Sequence, residues 1–224
     1  MKIAIDGPSG AGKSTISKII ATKLEFVYID TGAMYRAIGL NALKVGLDTK
    51  VDVVKIINML DAIDINIVCG VQRQEVFLNG ENITDLIRTP EVSIAASDVA
   101  VIPEVRLKLV DLQRELAKGN DVIMDGRDIG TYVLPDAEIK IFLTASAESR
   151  AQRRFAELIE KGVDTTYEEV LSDVNKRDKN DSSRKFSPLK IAEDAIIVDT
   201  TNNNLQESIE RIEKIIVREM EKKC

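Results

Sequence analysis

The stretch Gly7-Pro8-Ser9-Gly10-Ala11-Gly12-Lys13-Ser14-Thr15 decides the fold. It contains the pattern G-x-x-x-x-G-K-[S/T], preceded by a strand-like apolar segment (residues 2–6) and followed by a segment with helical periodicity (residues 13–24). In this context the pattern predicts a P-loop, in which backbone N–H groups and the start of a helix surround phosphate oxygens. We therefore expect all nine residues to form a nucleoside triphosphate site.

Two side chains of the loop have expected roles in that site. Lys13 can reach the β- and γ-phosphates, and the Ser14 hydroxyl can ligate Mg²⁺. Asp125 ends the apolar strand Val122-Ile123-Met124, where a second magnesium ligand is expected. The pair Asp125-Gly126 equally suits a turn that ends a strand, so the sequence leaves both interpretations of Asp125 open.

Composition excludes several classes of protein. The 224 residues suit one α/β domain with a small appended lobe. The absence of histidine excludes Ser-His and Cys-His mechanisms and histidine-ligated metals, and Cys69 and Cys224 are too few for a disulfide framework. A net charge of -6 argues against a general nucleic-acid binder. With no apolar run of membrane-spanning length and no signal-peptide pattern, we expect a cytoplasmic protein without a membrane partner. No surface stripe of the sequence demands a partner chain, so we expect a monomer.

The order of strand and helix patterns predicts an α/β fold, with a parallel sheet flanked by helices. Residues 62–98 interrupt this order with short alternating segments and the turn Asn79-Gly80, which predict a small inserted antiparallel β/α lobe. We therefore assign residues 1–61 and 99–224 to the core. Helices are predicted over residues 147–161 and 167–179, and the polar stretch Asp178–Ser187 is predicted to be a mobile loop.

Arginines indicate where a second anion binds. An enzyme that joins a triphosphate to another phosphate must neutralise two crowded anions, and guanidinium groups bind phosphate in a bidentate manner. Arg127 is the strongest candidate, because it follows a central strand at the edge where α/β sheets bind ligands. Three arginines with helical i, i+3, i+4 spacing are expected to share one helix face: Arg150, Arg153 and Arg154.

The string Asn175-Lys176-Arg177-Asp178 matches the N-K-x-D motif of GTPases. That motif should follow a buried strand, whereas this string lies in a charged helical stretch. No D-x-x-G follows a strand either, because Asp128 stands where the glycine is required. We interpret the match as coincidence.

Three segments together carry a family resemblance: the P-loop with the preceding Ile5-Asp6, the stretch Asp30-Thr31-Gly32-Ala33-Met34-Tyr35-Arg36, and Asp125-Gly126-Arg127-Asp128-Ile129-Gly130-Thr131. They resemble the bacterial cytidylate kinases, within the nucleoside monophosphate kinase superfamily of P-loop kinases. The resemblance covers essentially the whole chain. It implies a P-loop kinase fold with the insert on the monophosphate side and a helical lid near residues 150–187.

The resemblance also implies roles for individual residues. The nine P-loop residues would bind ATP, and Mg²⁺ would be the cofactor. The groups expected to act on the transferred phosphoryl group and the acceptor phosphate are Lys13, Arg36, Arg127 and Arg154. The residues expected to bind CMP fall into three sets: Thr31, Tyr35, Arg36 and Arg127 around the phosphate, Ser97, Arg106 and Asp128 on the base, and Arg177, Asp181 and Arg184 toward the sugar and phosphate.

The expected reaction is therefore phosphoryl transfer from ATP to CMP or dCMP. A kinase for another small acceptor (UMP, AMP or shikimate) is one alternative. A P-loop switch that binds nucleotide and signals through a partner is another. The inserted lobe, the two sets of arginines and the missing GTPase motifs favour the kinase.

Overall fold

The computed structural model describes residues 1–69 and 74–222, so Cys224 and part of the predicted lobe lie outside the described residues. The central sheet is built from β1 (Lys2–Asp6), β2 (Val27–Asp30), β6 (Val122–Gly126), β7 (Ile139–Thr144) and β8 (Ile196–Asp199). Its strands are parallel and run in the order β2-β6-β1-β7-β8. The predicted parallel sheet is confirmed.

Helices cover both faces of this sheet. They are α1 (Lys13–Leu24), α2 (Thr31–Lys44), α3 (Val53–Met59), α4 (Pro90–Val99), α5 (Pro103–Ala117), α6 (Ala147–Glu160), α7 (Tyr167–Ser183) and α8 (Leu205–Glu221). Side chains of β1 alternate between the faces: Ala4 packs in the cluster with α2 and α5, and Ile3 and Ile5 pack in the cluster with α1 and α8. The core thus has two apolar layers, one on each side of the sheet.

A second, antiparallel sheet consists of β3 (Ile65–Cys69), β4 (Gln74–Leu78) and β5 (Glu81–Asn82). The turn between β4 and β5 uses Asn79 and Gly80, whose φ angles of 50° and 81° suit these two residue types. The predicted small antiparallel sheet is confirmed. Helix α4 lies within the predicted lobe segment but packs closely on α2, since a Cβ at Gly39 would lie 2.9 Å from the backbone nitrogen of Ala96.

Two features of the chain differ from the sequence prediction. The predicted mobile loop Asp178–Ser187 is wrong for most of its length, because α7 continues to Ser183. Partly buried ion pairs from Asp178 and Asp181 to other elements hold this end of α7 in place. In addition, a π-helical turn, Ile129–Val133, follows β6, where we predicted no regular structure.

The topology brings the predicted site residues to one edge of the central sheet. The P-loop follows β1, Thr31 follows β2, and Arg127 follows β6, and these three strands are neighbours in parallel register. Their carboxyl ends therefore open onto the same crevice. None of the helices in the described ranges is both long and apolar enough to cross a bilayer.

Candidate active site

The P-loop has the backbone shape that its glycines permit. Gly7 has a φ of +149° and lies so close to β7 that a Cβ would stand 1.9 Å from the carbonyl oxygen of Leu143. Gly12 has a φ of +87° directly before α1. Both positions exclude other residue types, for steric and conformational reasons. The loop is therefore fixed by local sequence, as predicted.

Lys13 is buried at the start of α1, and its Nζ donates to the Pro8 carbonyl oxygen at 2.8 Å. Burial, and then the positive charge of Arg127, lower the pKa of Lys13 to about 7, despite the nearby carboxylates of Asp125, Asp181 and Asp6. A phosphate group beside Nζ would oppose both effects and favour the charged amine. The lysine is therefore placed in a pocket that an anion completes.

Ser14 and Asp125 lie together at the end of the P-loop. The Ser14 hydroxyl donates to Asp125 Oδ2 at 2.9 Å, and the Tyr28 hydroxyl donates to Asp125 Oδ1 at 2.8 Å. Burial, and then the negative charge of Asp30, raise the pKa of Asp125 to about 6. The carboxylate and the hydroxyl both offer hard oxygen ligands. A divalent cation bound to them would offset the cost of burying the negative charge of Asp125, so these residues fit Mg²⁺.

Asp30 and Arg36 form the next part of the site, at the start of α2. Asp30 Oδ1 accepts from the backbone of Ala33 at 3.1 Å as the N-cap of α2, and Asp30 Oδ2 accepts from Arg36 Nη2 at 2.6 Å. Gly32 leaves room for this pair, since a Cβ there would lie 3.0 Å from Arg36 Nη1. The Thr31 hydroxyl donates to the carbonyl oxygen of Asp125 at 2.8 Å, which ties β2 to β6.

Arg127 and Arg184 flank the buried carboxylate of Asp181. Arg127 Nε donates to Asp181 at 2.6 Å, and Arg184 Nη1 lies 3.6 Å from the other oxygen. Burial acts to raise the pKa of Asp181, but Arg127 and then Arg184 outweigh it and hold that pKa below its usual value. Asp181 therefore remains charged and positions both arginines, a role the sequence did not indicate.

Arg106 and Asp128, which directly follows Arg127 in the chain, form a buried ion pair. The guanidinium of Arg106 lies 5.4 Å from the centre of the Tyr35 ring and donates to Asp128 Oδ2, which also accepts from the Ser187 hydroxyl. Burial raises the pKa of Tyr35 to about 12, which keeps the phenol neutral. The structure thus brings these three predicted CMP-binding residues together.

Several buried polar atoms around this pair have no hydrogen-bond partner among the described residues. Four of them are Ser97 Oγ, Arg106 Nε, Arg184 Nη2 and, beside Asp30, Arg36 Nε; outside this set, Ser17 Oγ and Gln113 Nε2 also lack a partner in the described part of the chain. A buried polar group without a partner costs about 1–3 kcal/mol, and such groups are rare in native proteins. All four belong to residues predicted to bind the acceptor, so a polar ligand at this place would satisfy them.

Arg177 adds a further cation to the same region. Its pKa is lowered to about 10, chiefly by burial and then by the positive charge of Arg127. The negative charge of Asp181 opposes this shift, and the positive charges of Arg36 and Arg154 add to it. Guanidinium groups that disfavour one another's charge are stable together only when anions lie among them. An anionic ligand beside Arg177, in addition to Asp181, would favour its charged form.

The three arginines of α6 do not form one site, although their spacing places them on one face. Arg150 turns toward the P-loop and α7, where it contacts Ser9 and Asp178. Arg153 donates to the backbone after β8, and Arg154 donates to Glu157 at 2.8 Å on the wall of the cavity. Arg153 and Arg154 both line the cavity, and Arg154 is the one predicted to contact the transferred phosphate.

A cavity of about 1060 Å³ joins the two halves of the site. Its walls include the P-loop at one end and the acceptor-side residues at the other, with α6 and α7 along one side. The residues predicted for CMP that line it are Thr31, Tyr35, Arg36, Ser97, Arg106, Arg127, Asp128, Arg177, Asp181 and Arg184. The volume suits two nucleotides rather than one small ligand.

Sequence reasoning missed several residues that shape this site. Asp6 accepts from the backbone N–H groups of Ile129 and Gly130 at 2.8 and 2.7 Å, and so fixes the turn after Arg127. Gln74 of β4 accepts from and donates to the backbone of Asp30. An acid directly before the P-loop was a visible signal for Asp6, whereas nothing local marked Gln74 or Ser187.

Comparison with known proteins identifies the family of this chain. The sequence model of the family described as cytidylate kinase matches residues 3–218. The chain belongs to the cytidylate kinase family. A cytidylate kinase from Caldicellulosiruptor bescii is 56% identical over 212 residues, covering 95% of this chain and 93% of that protein. Those from Carboxydothermus hydrogenoformans and Bacillus subtilis are 52% and 48% identical, covering 97% and 95% of this chain and 98% and 94% of theirs.

Solved structures also resemble the fold of this cytidylate kinase family member. An uncharacterized protein from Eubacterium ventriosum aligns over 99% of this chain and 98% of its own with a TM-score of 0.50 and 13% identity. A shikimate kinase from Bacteroides thetaiotaomicron aligns over 96% of this chain and 98% of its own with a TM-score of 0.48 and 14% identity. At 13% identity, the likeness to the Eubacterium ventriosum protein concerns the fold alone.

Proposed function

We propose that this chain transfers the γ-phosphoryl group of ATP to the phosphate of CMP or dCMP, giving ADP and CDP or dCDP. The observation that carries the proposal is one cavity with a P-loop at one end and crowded, buried arginines at the other. Membership of the cytidylate kinase family supports the same acceptor. The same membership disfavours both alternatives, a kinase for UMP, AMP or shikimate and a signalling switch.

On the donor side, the backbone of Gly7–Thr15 holds the ATP phosphates, and Lys13 neutralises charge at the β- and γ-phosphates. Ser14 and Asp125 would hold Mg²⁺, which neutralises charge on the phosphates when bound. The Ser14 hydroxyl already points at this carboxylate, at 2.9 Å. Glu157 holds Arg154 at the wall of the cavity, from which Arg154 reaches the transferred group.

On the acceptor side, Arg36, Arg127 and Arg177 orient the phosphate of CMP, with Thr31 at its edge. The acceptor atom is an anionic phosphate oxygen, so no general base is needed, in agreement with the absence of histidine. Asp30 and Asp181 keep two of these guanidinium groups in place at 2.6 Å. Positioning and charge neutralisation then supply most of the catalysis.

The base would be recognised by Asp128, Arg106 and Ser97, with Tyr35 below the guanidinium of Arg106. Arg106 and Ser187 both contact Asp128 Oδ2, so Oδ1 is the oxygen that would accept from the exocyclic amine of cytosine. The partnerless Ser97 Oγ and Arg106 Nε supply the remaining polar contacts. Uracil would present an oxygen to the carboxylate and leave buried groups unpaired.

The proposal includes Mg²⁺ as the cofactor, a monomer as the active species and the cytoplasm as the compartment. Residues of this one chain supply both ends of the cavity, which supports an active monomer. ATP and the acceptor nucleotide are small cytoplasmic metabolites, which supports the compartment. Arg184 and Asp181 would approach the sugar, where both ribose and deoxyribose are accommodated.

The test is ADP release from ATP with CMP, dCMP, UMP, AMP and shikimate offered in turn. We expect CMP and dCMP to raise turnover far above the background with ATP alone, and the other acceptors to do so poorly. Chelation of Mg²⁺ with EDTA should stop the reaction. Equal use of UMP would contradict the roles given to Asp128 and Arg106, and no response to CMP would refute the proposed function.

A further inference from the structure

Arg150 is a buried arginine that the proposed reaction does not use. It lies near the start of α6, with its Nε donating to the Ala145 carbonyl oxygen at 2.9 Å. Its Nη1 donates to the carbonyl oxygen of Ser9 in the P-loop, also at 2.9 Å. The next P-loop residue packs directly against it, since a Cβ at Gly10 would lie 3.2 Å from Arg150 Cβ. Arg150 therefore supports the phosphate-binding backbone from outside the loop.

The same guanidinium also holds α7. Arg150 Nη1 and Nη2 donate to the two carboxylate oxygens of Asp178 at 3.0 and 2.6 Å, a bidentate ion pair. Asp181, three residues further along α7, accepts from Arg127 at 2.6 Å. Within one turn, α7 is thus bound to the donor side of the cavity through Arg150 and to the acceptor side through Arg127.

We propose that the Arg150–Asp178 pair makes the binding of ATP and of CMP depend on each other, so that each nucleotide raises the affinity for the other. This inference rests on the proposed function. A peptide group is planar, so a donor that fixes the Ser9 carbonyl oxygen also fixes the N–H of Gly10 within the P-loop. A triphosphate that orders this peptide therefore orders Arg150, and with it α7.

The acceptor residues on and directly after α7 explain why each nucleotide should strengthen the binding of the other. Arg177 and Asp181 lie on α7 on either side of Asp178, and Arg184 directly follows the helix as its C-cap, so all three are linked to the helix that Arg150 holds. ATP at the P-loop would place them for CMP before CMP arrives, and by thermodynamic linkage CMP would favour ATP by the same factor. The string Asn175-Lys176-Arg177-Asp178 thereby acquires a role unlike that of the GTPase motif.

The experiment is calorimetric titration of CMP into the full chain, alone and with saturating Mg²⁺ and a non-hydrolysable ATP analogue. For the wild type we expect the analogue to tighten CMP binding by roughly 5-fold or more. Asp178→Asn keeps the shape of the side chain but removes its charge, and should bring this ratio to within about 2-fold of unity. Arg150→Lys should do the same, and the double variant should lose no more than either single one.

Glu168→Gln is the matched control, because it removes the same charge from an exposed position of the same helix. It should keep the wild-type ratio. A purely structural role for the pair would weaken CMP binding equally with and without the analogue, leaving the ratio intact, and that result would overturn the inference. A wild-type ratio of one would do so too. Wild-type chain that neither binds nor phosphorylates CMP would instead refute the proposed function.

Discussion

The two ends of the cavity are built in opposite ways. The donor end is centred on one run of nine residues, Gly7–Thr15, whose backbone we propose binds the phosphates and whose glycines allow its shape. The acceptor end consists of side chains from several elements, each held by its own partner: Arg36 by Asp30, Arg127 by Asp181, and Arg106 by Asp128. A backbone cradle suits the phosphates shared by all triphosphates, whereas side-chain pairs can select one acceptor.

The largest effect is expected at the donor end. Lys13→Ala removes the one side chain of the loop that reaches the transferred group, so turnover should fall by at least ~10²–10³-fold with every acceptor. Steady-state ADP release with CMP and with dCMP measures this. Circular dichroism should show an unchanged fold. Retained activity would contradict the donor role, and a loss confined to one acceptor would contradict the division between the two ends.

The shape of the loop can be tested separately from its charge. Gly7→Ala places a methyl group against the Leu143 carbonyl oxygen, at 1.9 Å before any relaxation, and should cost about 3 kcal/mol or more in unfolding free energy. Gly46→Ala is the matched control: Gly46 also has a positive φ, +74°, but no atom of the described residues lies within 4 Å of the place its methyl group would take. It should cost about 1–2 kcal/mol. Urea unfolding measures both, and equal losses would show that close packing of Gly7 is unimportant.

The difference between the two ends explains what the sequence could reveal. The P-loop and the order of strands and helices were predictable, because both depend on local patterns. Arg127 was predicted from its place after a central strand, and the other acceptor arginines from the family resemblance, but their partners depend on contacts across the chain. Asp181 was expected at the sugar, and the sequence did not reveal that it pairs with Arg127. The polar residues around Asp178 suggested a loop, because the ion pairs that stabilise this part of α7 come from other elements and cannot be read from the local sequence.

Asp6 connects the two ends, since it directly precedes the P-loop and binds the turn after Arg127 through Ile129 and Gly130. Burial raises the pKa of Asp6 to about 6, against the hydrogen bonds from Gly130 and Ile129, while the unfolded chain keeps the ordinary value of 3.8. The folded state therefore holds this proton more tightly. The stabilisation that comes from protonated Asp6 is complete below about pH 4 and is lost as the pH rises through about 6.

Comparison with Asp6→Asn isolates that contribution. From pH 4 to pH 7 the wild type should lose stability relative to the variant. The difference between their unfolding free energies should change by on the order of 3 kcal/mol. Urea unfolding at several pH values gives this difference. Asp136→Asn, an exposed substitution of the same kind, should show no comparable trend. A constant difference for Asp6→Asn would show that the carboxyl of Asp6 has the same pKa in both states.

The smallest expected effect concerns selectivity at the acceptor end. Asp128→Asn replaces an acceptor of the cytosine amine with a side chain that can also donate to the uracil oxygen, so the ratio of kcat/KM for CMP to that for UMP should fall. Each base-edge contact is worth about 1–3 kcal/mol, which corresponds to roughly 5- to 150-fold in this ratio. Asp136→Asn again serves as the control and should leave the ratio unchanged.

Because Asp128 also holds Arg106, an equal loss with CMP and UMP would mean that the carboxylate only maintains the buried pair. The acceptor end would then select its base through other groups, and the contrast between a general donor end and a selective acceptor end would rest on Ser97 and Arg106 alone.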